Sequence, residues 1–406
     1  MARILLWLLV NCCSVILFAQ TKQQIQVDVV YLSSDLLEGR ETGSVGERMA
    51  ADYIEHRFKN IGLKTLPNQS EYRQNFTFKT LANPKNPHDT TAGKSLHGQN
   101  VIGFLDNQAL NTIIIGAHYD HLGLGSHGSL YTGEPAIHNG ADDNASGVSA
   151  LLYLAEKLSK SNYKASNYCF IAFSGEEYGL HGSKSFTEKL LNSVSGFNFM
   201  INMDMVGRLN GEKSLVINGV GTSPVWKELL EKYKGDLKLA TTESGIGPSD
   251  HTSFYLKDRP VLHFFTGQHT DYHKPGDDSH LINYQGIEQI SEFIYQLVTT
   301  DSNQGSIAFT KTKDDEGRKA AQFKVSLGVM PDYTYTDSGM RVDGVIDGRP
   351  GQVAGMQKGD IITKLGDLDI KDIYAYMEAL SKFKPGDSTE MRLKREGQEM
   401  ILQVKF

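Results

Sequence analysis

Four short apolar runs, residues 112–117, 168–173, 197–203 and 261–265, each stop at a polar cluster, and this constrains the chain more than any other feature. Runs of this length, rich in Ile, Val and Phe and without polar alternation, fit strands buried on both faces. Segments of helical period lie between or beside them. In residues 45–63, Met49, Tyr53, Ile54 and Phe58 recur near every 3.6 positions and Gly62 marks the stop. Residues 146–158, 224–233 (with Pro224 in the first turn) and 287–298 read the same way, as do residues 27–37. Residues 72–78, 101–105 and 214–217 supply further strands, and residues 81–94 read as a loop. The alternation predicts an α/β fold: a mostly parallel central sheet flanked by helices, with ligands gathering beyond the carboxyl ends of its strands.

That domain spans residues 20–299 of a 406-residue chain. Residues 1–19 ahead of it read as a signal peptide, with Arg3 as the positive start, apolar residues 4–10 and 15–18, and a small Ala19. A membrane anchor is the weaker reading, because Asn11, Cys12, Cys13 and Ser14 interrupt a segment already short for a span of about 20 residues. Lipid attachment at Cys12 is the lesser alternative, since Asn11 fits poorly before such a site. Cleavage implies export, to the periplasm or beyond the cell, with no membrane span afterwards. It leaves Cys169 as the single cysteine of the three, so no intramolecular disulfide forms. A net charge of −7 with no basic block argues against a nucleic-acid partner. Residues 300–320 are polar and charged and read as a linker, after which residues 321–406 restart as a smaller β-rich domain.

The polar clusters at the strand ends carry the chemistry. They comprise His118 and Asp120, Asp142 and Asp143, Glu176 and Glu177, Asp204, the pair Asp250-His251, and His273. Imidazole and carboxylate without thiolate suit zinc and also accept manganese or cobalt. Taken singly, Glu176-Glu177 reads equally well as an acidic first helical turn. Asp204, set between Met203 and Met205, needs a partner for its charge.

The segments Gly116-Ala117-His118-Tyr119-Asp120, Asp143-Asn144-Ala145-Ser146-Gly147, Glu176-Glu177, Met203-Asp204-Met205 and Tyr272-His273-Lys274-Pro275 resemble the ordered motifs of the di-zinc aminopeptidases. That family takes in leucyl-type aminopeptidases, glutamate carboxypeptidase and glutaminyl cyclase. Leu37-Glu38-Gly39-Arg40-Glu41-Thr42-Gly43-Ser44 resembles the start of its catalytic domain. The resemblance implies two zinc ions per chain, His118 and Asp204 holding one, Glu177 and His273 the other, and Asp143 bridging both. It implies that Glu176 is the general base for a water activated between the metals, and that peptides lose their N-terminal residues. Asp120 would orient His118, Asp142 would support the bridge, Tyr272 would polarise the scissile carbonyl, and His251 would touch substrate. A cis peptide bond between Asp143 and Asn144 is also implied. His121 and His138 are expected to hydrogen-bond within their loops.

Ser326-Leu327-Gly328-Val329 and the run from Gly348 to Ile362 resemble a PDZ domain of exported bacterial proteases. The amides of Leu327, Gly328 and Val329 would then receive the carboxylate of a peptide or protein C-terminus, with the helix at residues 373–383 lining the groove. A purely structural role for this module remains the alternative. For the larger domain the alternatives are a glutaminyl cyclase-like or carboxypeptidase activity on the same fold, and a metal-free binding or receptor protein.

Overall fold

The computed structural model describes residues 23–81, 92–300, 305–312, 325–332, 335, 337–345 and 348–406. The signal-peptide reading of residues 1–19 lies outside the described residues. Among the described residues no helix is long and apolar enough to cross a membrane.

Helix α1 (residues 23–32) and α2 (Val45–Ile61) lead into β1 (Arg73–Leu81) and β2 (Ala92–Leu105). Ser44 caps α2 by accepting the Glu47 amide, and Gly62 ends it in a left-handed conformation. The chain continues through β3 (Asn111–His118), α3 (Gly147–Ser159), β4 (Ser166–Phe173), α4 (His181–Lys189) and β5 (Phe197–Met203). Next come β6 (Ser214–Asn218), α5 (Trp226–Tyr233), β7 (Lys238–Thr241), α6 (His251–Tyr255), β8 (Val261–Phe265) and α7 (Tyr284–Val298). These strands form one sheet of order β1-β2-β4-β3-β5-β8-β6-β7, in which β4, β3, β5 and β8 run parallel at the centre.

The central strands alternate between two apolar layers. Ile113, Ile115 and Ala117 of β3 face the layer built with α1, α2, α3, α5 and α7, and Ile114 faces the opposite layer with Phe186 of α4 and Phe254 of α6. Tyr168, Phe170 and Ala172 of β4 join the first layer, while Cys169, Ile171 and Phe173 join the second. A strand with helices on both faces has no solvent side, which is why these runs show no polar alternation. Each fully buried Ile or Phe contributes about 1.5–3 kcal/mol.

Three expectations need correction. Residues 27–37 do not form one helix: α1 ends at residue 32, and a tight turn, Asp35–Arg40, follows, broken by left-handed Glu38 and Gly39. The loop expected over residues 81–94 is shorter, because β2 begins at Ala92 and pairs with β1 as far as Leu81; residues 82–91 lie outside the described residues. The segment read as an interdomain linker is bonded to the first domain where it is described, rather than simply spanning between the two. There the Thr310 amide donates to the Thr222 carbonyl at 2.8 Å, and the Thr312 amide donates to the Tyr255 hydroxyl at 2.9 Å.

The C-terminal unit comprises β9 (Val329–Pro331), β10 (Met340–Val345), α8 (Pro350–Val353), β11 (Ile361–Leu365), β12 (Leu368–Asp369), α9 (Ile373–Leu380), β13 (Ser388–Arg395) and β14 (Gln398–Lys405). Its sheet is antiparallel, in the order β14-β13-β11-β10-β9 with β12 beside β11. It has its own core, centred on Leu327, Val342, Ile362, Leu365, Ala379 and Met391.

Candidate metal centre

Parallel pairing delivers the polar clusters to one place. His118 lies opposite Phe173 in the β3–β4 register, so residues 119–121 and 174–177 leave the sheet side by side. Gly116 pairs with Asn202, and two residues further on Asp204 emerges beside His118. Asp143 arrives on the wide turn Ala141–Ser146 that leads into α3. The turn opens at Gly140 with φ +55°, where a Cβ would sit 2.1 Å from the Asp143 carbonyl oxygen, so no other residue fits. The Asp143–Asn144 peptide bond is cis. The Asn144 side chain donates to the Met203 carbonyl at 3.0 Å and accepts the amides of Gly147 and Met205 at 3.0 and 3.1 Å, tying the turn to the end of β5.

Two groups of donor atoms result, each within 4.8 Å: His118, Asp143 and Asp204, and His121, Asp143 and Glu177. Asp143 belongs to both. Its Oδ1 lies 3.3 Å from His118 Nε2, and its Oδ2 lies 3.2 Å from His273 Nε2, which in turn is 3.4 Å from Glu177 Oε2. The second group therefore has two imidazoles beside it, and their hydrogen bonds tell them apart. His118 Nδ1 faces the Asp120 carbonyl oxygen at 3.2 Å, and His273 Nδ1 faces the Gly128 carbonyl oxygen at 2.9 Å. A carbonyl only accepts, so in both rings Nδ1 carries a proton and Nε2 is turned to the carboxylates, donating to them when protonated and offering its lone pair to a metal when not. His121 presents Nδ1 to Glu177 Oε1 at 2.9 Å, while its buried Nε2 has no partner among the described residues. That arrangement suits a donor to Glu177 better than a ligand.

The electrostatics call for cations. Burial opposes charge on His118, yet the Asp204 and Glu176 carboxylates and its bonds to Asp143 and Asp204 raise its pKa well above the usual imidazole value. Burial likewise opposes protonation of His273, but Glu177 and Asp143 raise it to about 9. Burial would raise Asp143, but the hydrogen bonds from His118 and His273 hold it well below the usual carboxylate range. The acidic residues thus draw protons onto the imidazoles, and divalent ions answer the same excess of negative charge. The donor set fits zinc in number and type. Glu176 contributes no ligand atom to either group; burial, with repulsion from Glu177, Asp204 and Asp250, raises its carboxyl well above the usual range against the pull of His118.

The remaining candidates fall as follows. The Asp120 carboxylate lies 3.8 Å from His118 and bonds elsewhere: Oδ1 accepts the Glu176 amide at 3.2 Å and Oδ2 the Thr42 hydroxyl at 2.9 Å. Its backbone carbonyl is the group nearest the imidazole. Asp142 is buried, accepts the Gly207 amide at 2.6 Å and faces His269 Nε2 at 3.2 Å, outside both donor groups. The Tyr272 ring stacks on His273 at 3.9 Å and packs against Met205, Val216, Ala240 and Phe265. Burial and the neighbouring carboxylates raise its pKa well above the usual phenol value, so the hydroxyl keeps its proton to donate. His251 is fully buried at the start of α6, stacked on His263 at 4.5 Å. His138 bonds within its loop, Nδ1 to the Ala136 carbonyl oxygen at 2.8 Å and Nε2 to the Ser129 hydroxyl at 2.7 Å. In the C-terminal unit, Gly328 has φ +69° and its amide donates to the Ser326 hydroxyl at 3.0 Å. Leu327 is buried with its carbonyl accepting the Gly351 amide at 2.7 Å, and Val329 opens β9.

Residues 100–298 match the model of peptidase family M28, and residues 307–406 match that of the PDZ domain. The aminopeptidase YwaD of Bacillus subtilis is 30% identical over 219 residues, covering 49% of this chain and 44% of its own. The chain spans about half the length of the curated relatives it matches. The zinc aminopeptidase BSAP from Bacillus subtilis superposes with a TM-score of 0.54 at 18% identity, over 71% of this chain and 98% of that one. A glutaminyl cyclase from Porphyromonas gingivalis gives 0.56 at 16% identity, over 68% and 97%. At such identities the likeness is one of fold. Residues 100–298 thus match peptidase family M28 in sequence, within a domain that shares the fold of a zinc aminopeptidase, and residues 307–406 match a PDZ domain on its C-terminal side.

Proposed function

We propose that the protein is an exported, zinc-dependent aminopeptidase that removes N-terminal residues from peptides, with a PDZ module that takes an extended peptide or protein C-terminus. The observation that carries this reading is Asp143, whose two carboxylate oxygens face separate imidazoles, His118 Nε2 at 3.3 Å and His273 Nε2 at 3.2 Å. One carboxylate serving two donor groups is what a pair of metals sharing a bridge requires. His118 and Asp204 would hold one zinc, and Glu177 and His273 the other. Two bound zinc ions would supply Lewis acidity toward a water and a peptide carbonyl.

This chain's own residues do the rest. Glu176, half-buried and with its carboxyl pKa raised, takes a proton from the attacking water and passes it to the leaving amine. The hydrogen bond from the Glu176 amide to the Asp120 carboxylate keeps Glu176 beside the donor groups without committing its own carboxylate to them. The Tyr272 hydroxyl, kept protonated, serves as a donor to the scissile carbonyl oxygen. The free amino group of a substrate is attracted to carboxylate in excess of that needed by the metals. His251 is fully buried at the start of α6, and contact with substrate would come through a side chain long enough to reach it.

Hydrolysis of aminoacyl chromogenic substrates, lost on chelation and restored by zinc, tests this reading. A chain that binds zinc and cyclises N-terminal glutamine without hydrolysing any such substrate would replace it with a glutaminyl cyclase-like activity. Absence of both activities in zinc-loaded protein would favour a binding protein.

A further inference from the structure

The turn that carries Asp143 is gripped by two buried residues of opposite charge. Arg40, at the end of the tight turn after α1, is 1% exposed. Its Nη1 donates to the Asn139 carbonyl at 2.7 Å and to the Leu32 carbonyl, its Nη2 to the Gly140 carbonyl at 3.0 Å, and its Nε to the Tyr119 carbonyl at 2.8 Å. The Arg40 carbonyl accepts the His121 amide at 3.2 Å. On the other side, Asp277 Oδ2 accepts the amides of Asp142 and Asp143 at 2.9 and 3.0 Å, and the Asp277 carbonyl accepts that of Ala141 at 2.9 Å. Asp277 Oδ1 pairs with Arg208 at 3.2 Å.

Peptide groups in a turn expose carbonyls at one end and amides at the other. Here the guanidinium takes the carbonyls of Asn139 and Gly140, and the carboxylate takes the amides of Asp142 and Asp143. Buried backbone groups left unpaired are costly, so these bonds fix the turn in one conformation. The grip extends beyond the turn: Arg40 also holds Tyr119, next to His118, and Asp277 lies four residues after His273 in the loop that follows β8. The segments that carry His118, Asp143 and His273, three of those around the bridge, are therefore fastened to these two side chains. Burial lowers the Arg40 pKa to about 10, but Asp143, Asp120, Asp277 and Glu177 oppose the fall, so the guanidinium stays charged at neutral pH.

We infer that Arg40 and Asp277 are positioning residues that set the Asp143 carboxylate between the two donor groups by clamping the backbone on either side of it. The inference rests on the two-metal reading of the site. Groups that orient a ligand from behind typically contribute about 10–100-fold in metal affinity.

The test is zinc affinity by competition with a chromophoric chelator, read beside the cobalt absorption spectrum, for wild type, D277A, D277N and R40K. Asn keeps an oxygen able to accept both amides, whereas Ala does not. Lysine keeps the charge of Arg40 but cannot reach four carbonyls in three segments as the planar fork does. The clamp predicts a loss of about 10–100-fold in D277A and R40K, with an altered cobalt spectrum, and recovery of most of that loss in D277N. Thermal unfolding of each metal-free chain identifies variants that fold; should D277A not fold, R40K and D277N carry the comparison. Wild-type affinity in folded D277A or R40K, or a D277N loss as large as that of D277A or R40K, would overturn the clamp. Failure of the wild-type chain to bind zinc would instead overturn the two-metal reading.

Discussion

The Asp120 carboxylate accepts the backbone amide of Glu176 across 3.2 Å, the first buried and the second half-buried, just beyond the ends of neighbouring parallel strands. This bond joins the loop after β3, which directly follows His118, to the loop after β4, which presents Glu176 and Glu177. It leaves the Glu176 side chain free of the donor groups and close enough to Glu177, Asp204 and Asp250 for their charges to raise its pKa. A carboxyl so placed can carry a proton both ways.

Replacing Glu176 with Gln removes that capacity while leaving the ligands alone. Turnover on aminoacyl substrates should fall about 10²–10⁴-fold with zinc content unchanged. Steady-state kinetics with elemental analysis of the same sample checks both halves, and near-wild-type turnover contradicts the assignment.

His273 and His121 both approach Glu177, yet only His273 has its Nδ1 fixed by a carbonyl. His273→Ala should therefore reduce zinc content by about one ion per chain, while His121→Ala retains both ions with weaker affinity. The reverse pattern would make His121 the ligand.

Acid sensitivity should trace in part to the His251–His263 pair. Burial pushes His263 down to about 4 and His251 well below the usual value. In the unfolded chain these imidazoles titrate near about 6.5, so between that pH and about 4 the unfolded state binds more protons than the folded one. The stability they contribute is complete above about pH 6.5 and is lost as pH falls toward 4. His263→Gln should flatten the decline of denaturation midpoint over that window; an unchanged slope would show that other groups set it.

The C-terminal unit should matter for long substrates more than for short ones. Thr312 bonds to Tyr255 inside the first domain, so the informative truncation ends at Thr312 rather than at residue 300. That chain should hydrolyse dipeptides as the full chain does and lose rate on long peptides with free C-termini. Equal loss on both would make the module structural.

The strands were legible because burial on both faces leaves a continuous apolar run: 197–203 and 261–265 coincide with β5 and β8 to the residue. Helix α4 was not, since most of what it buries is Gly182, Ser183, Ser185 and Thr187, which give no apolar period. Helix α6 escaped for a similar reason, burying His251, Thr252 and Ser253. At the site, the motif residues that resemble family positions converge, but the sequence understated His121, whose closeness to Glu177 depends on how two loops meet. Arg40 and Asp277 were the hardest to see. Both act on backbone groups about 100 and 135 residues away, and such bonds leave no pattern of side-chain types. Arg40 lies within the Leu37–Ser44 segment, where nothing in the sequence singles out its side chain, and Asp277 is marked only by its place four residues after His273.

Anomalous scattering at the zinc edge, from crystals of the full chain grown with zinc, decides whether Asp143 bridges two metals. Two peaks are expected, each about 2.0–2.2 Å from one oxygen of Asp143, with His118 and Asp204 beside one and Glu177 and His273 beside the other. A single peak, or two peaks of which either lies beyond bonding distance of Asp143, would contradict the bridge.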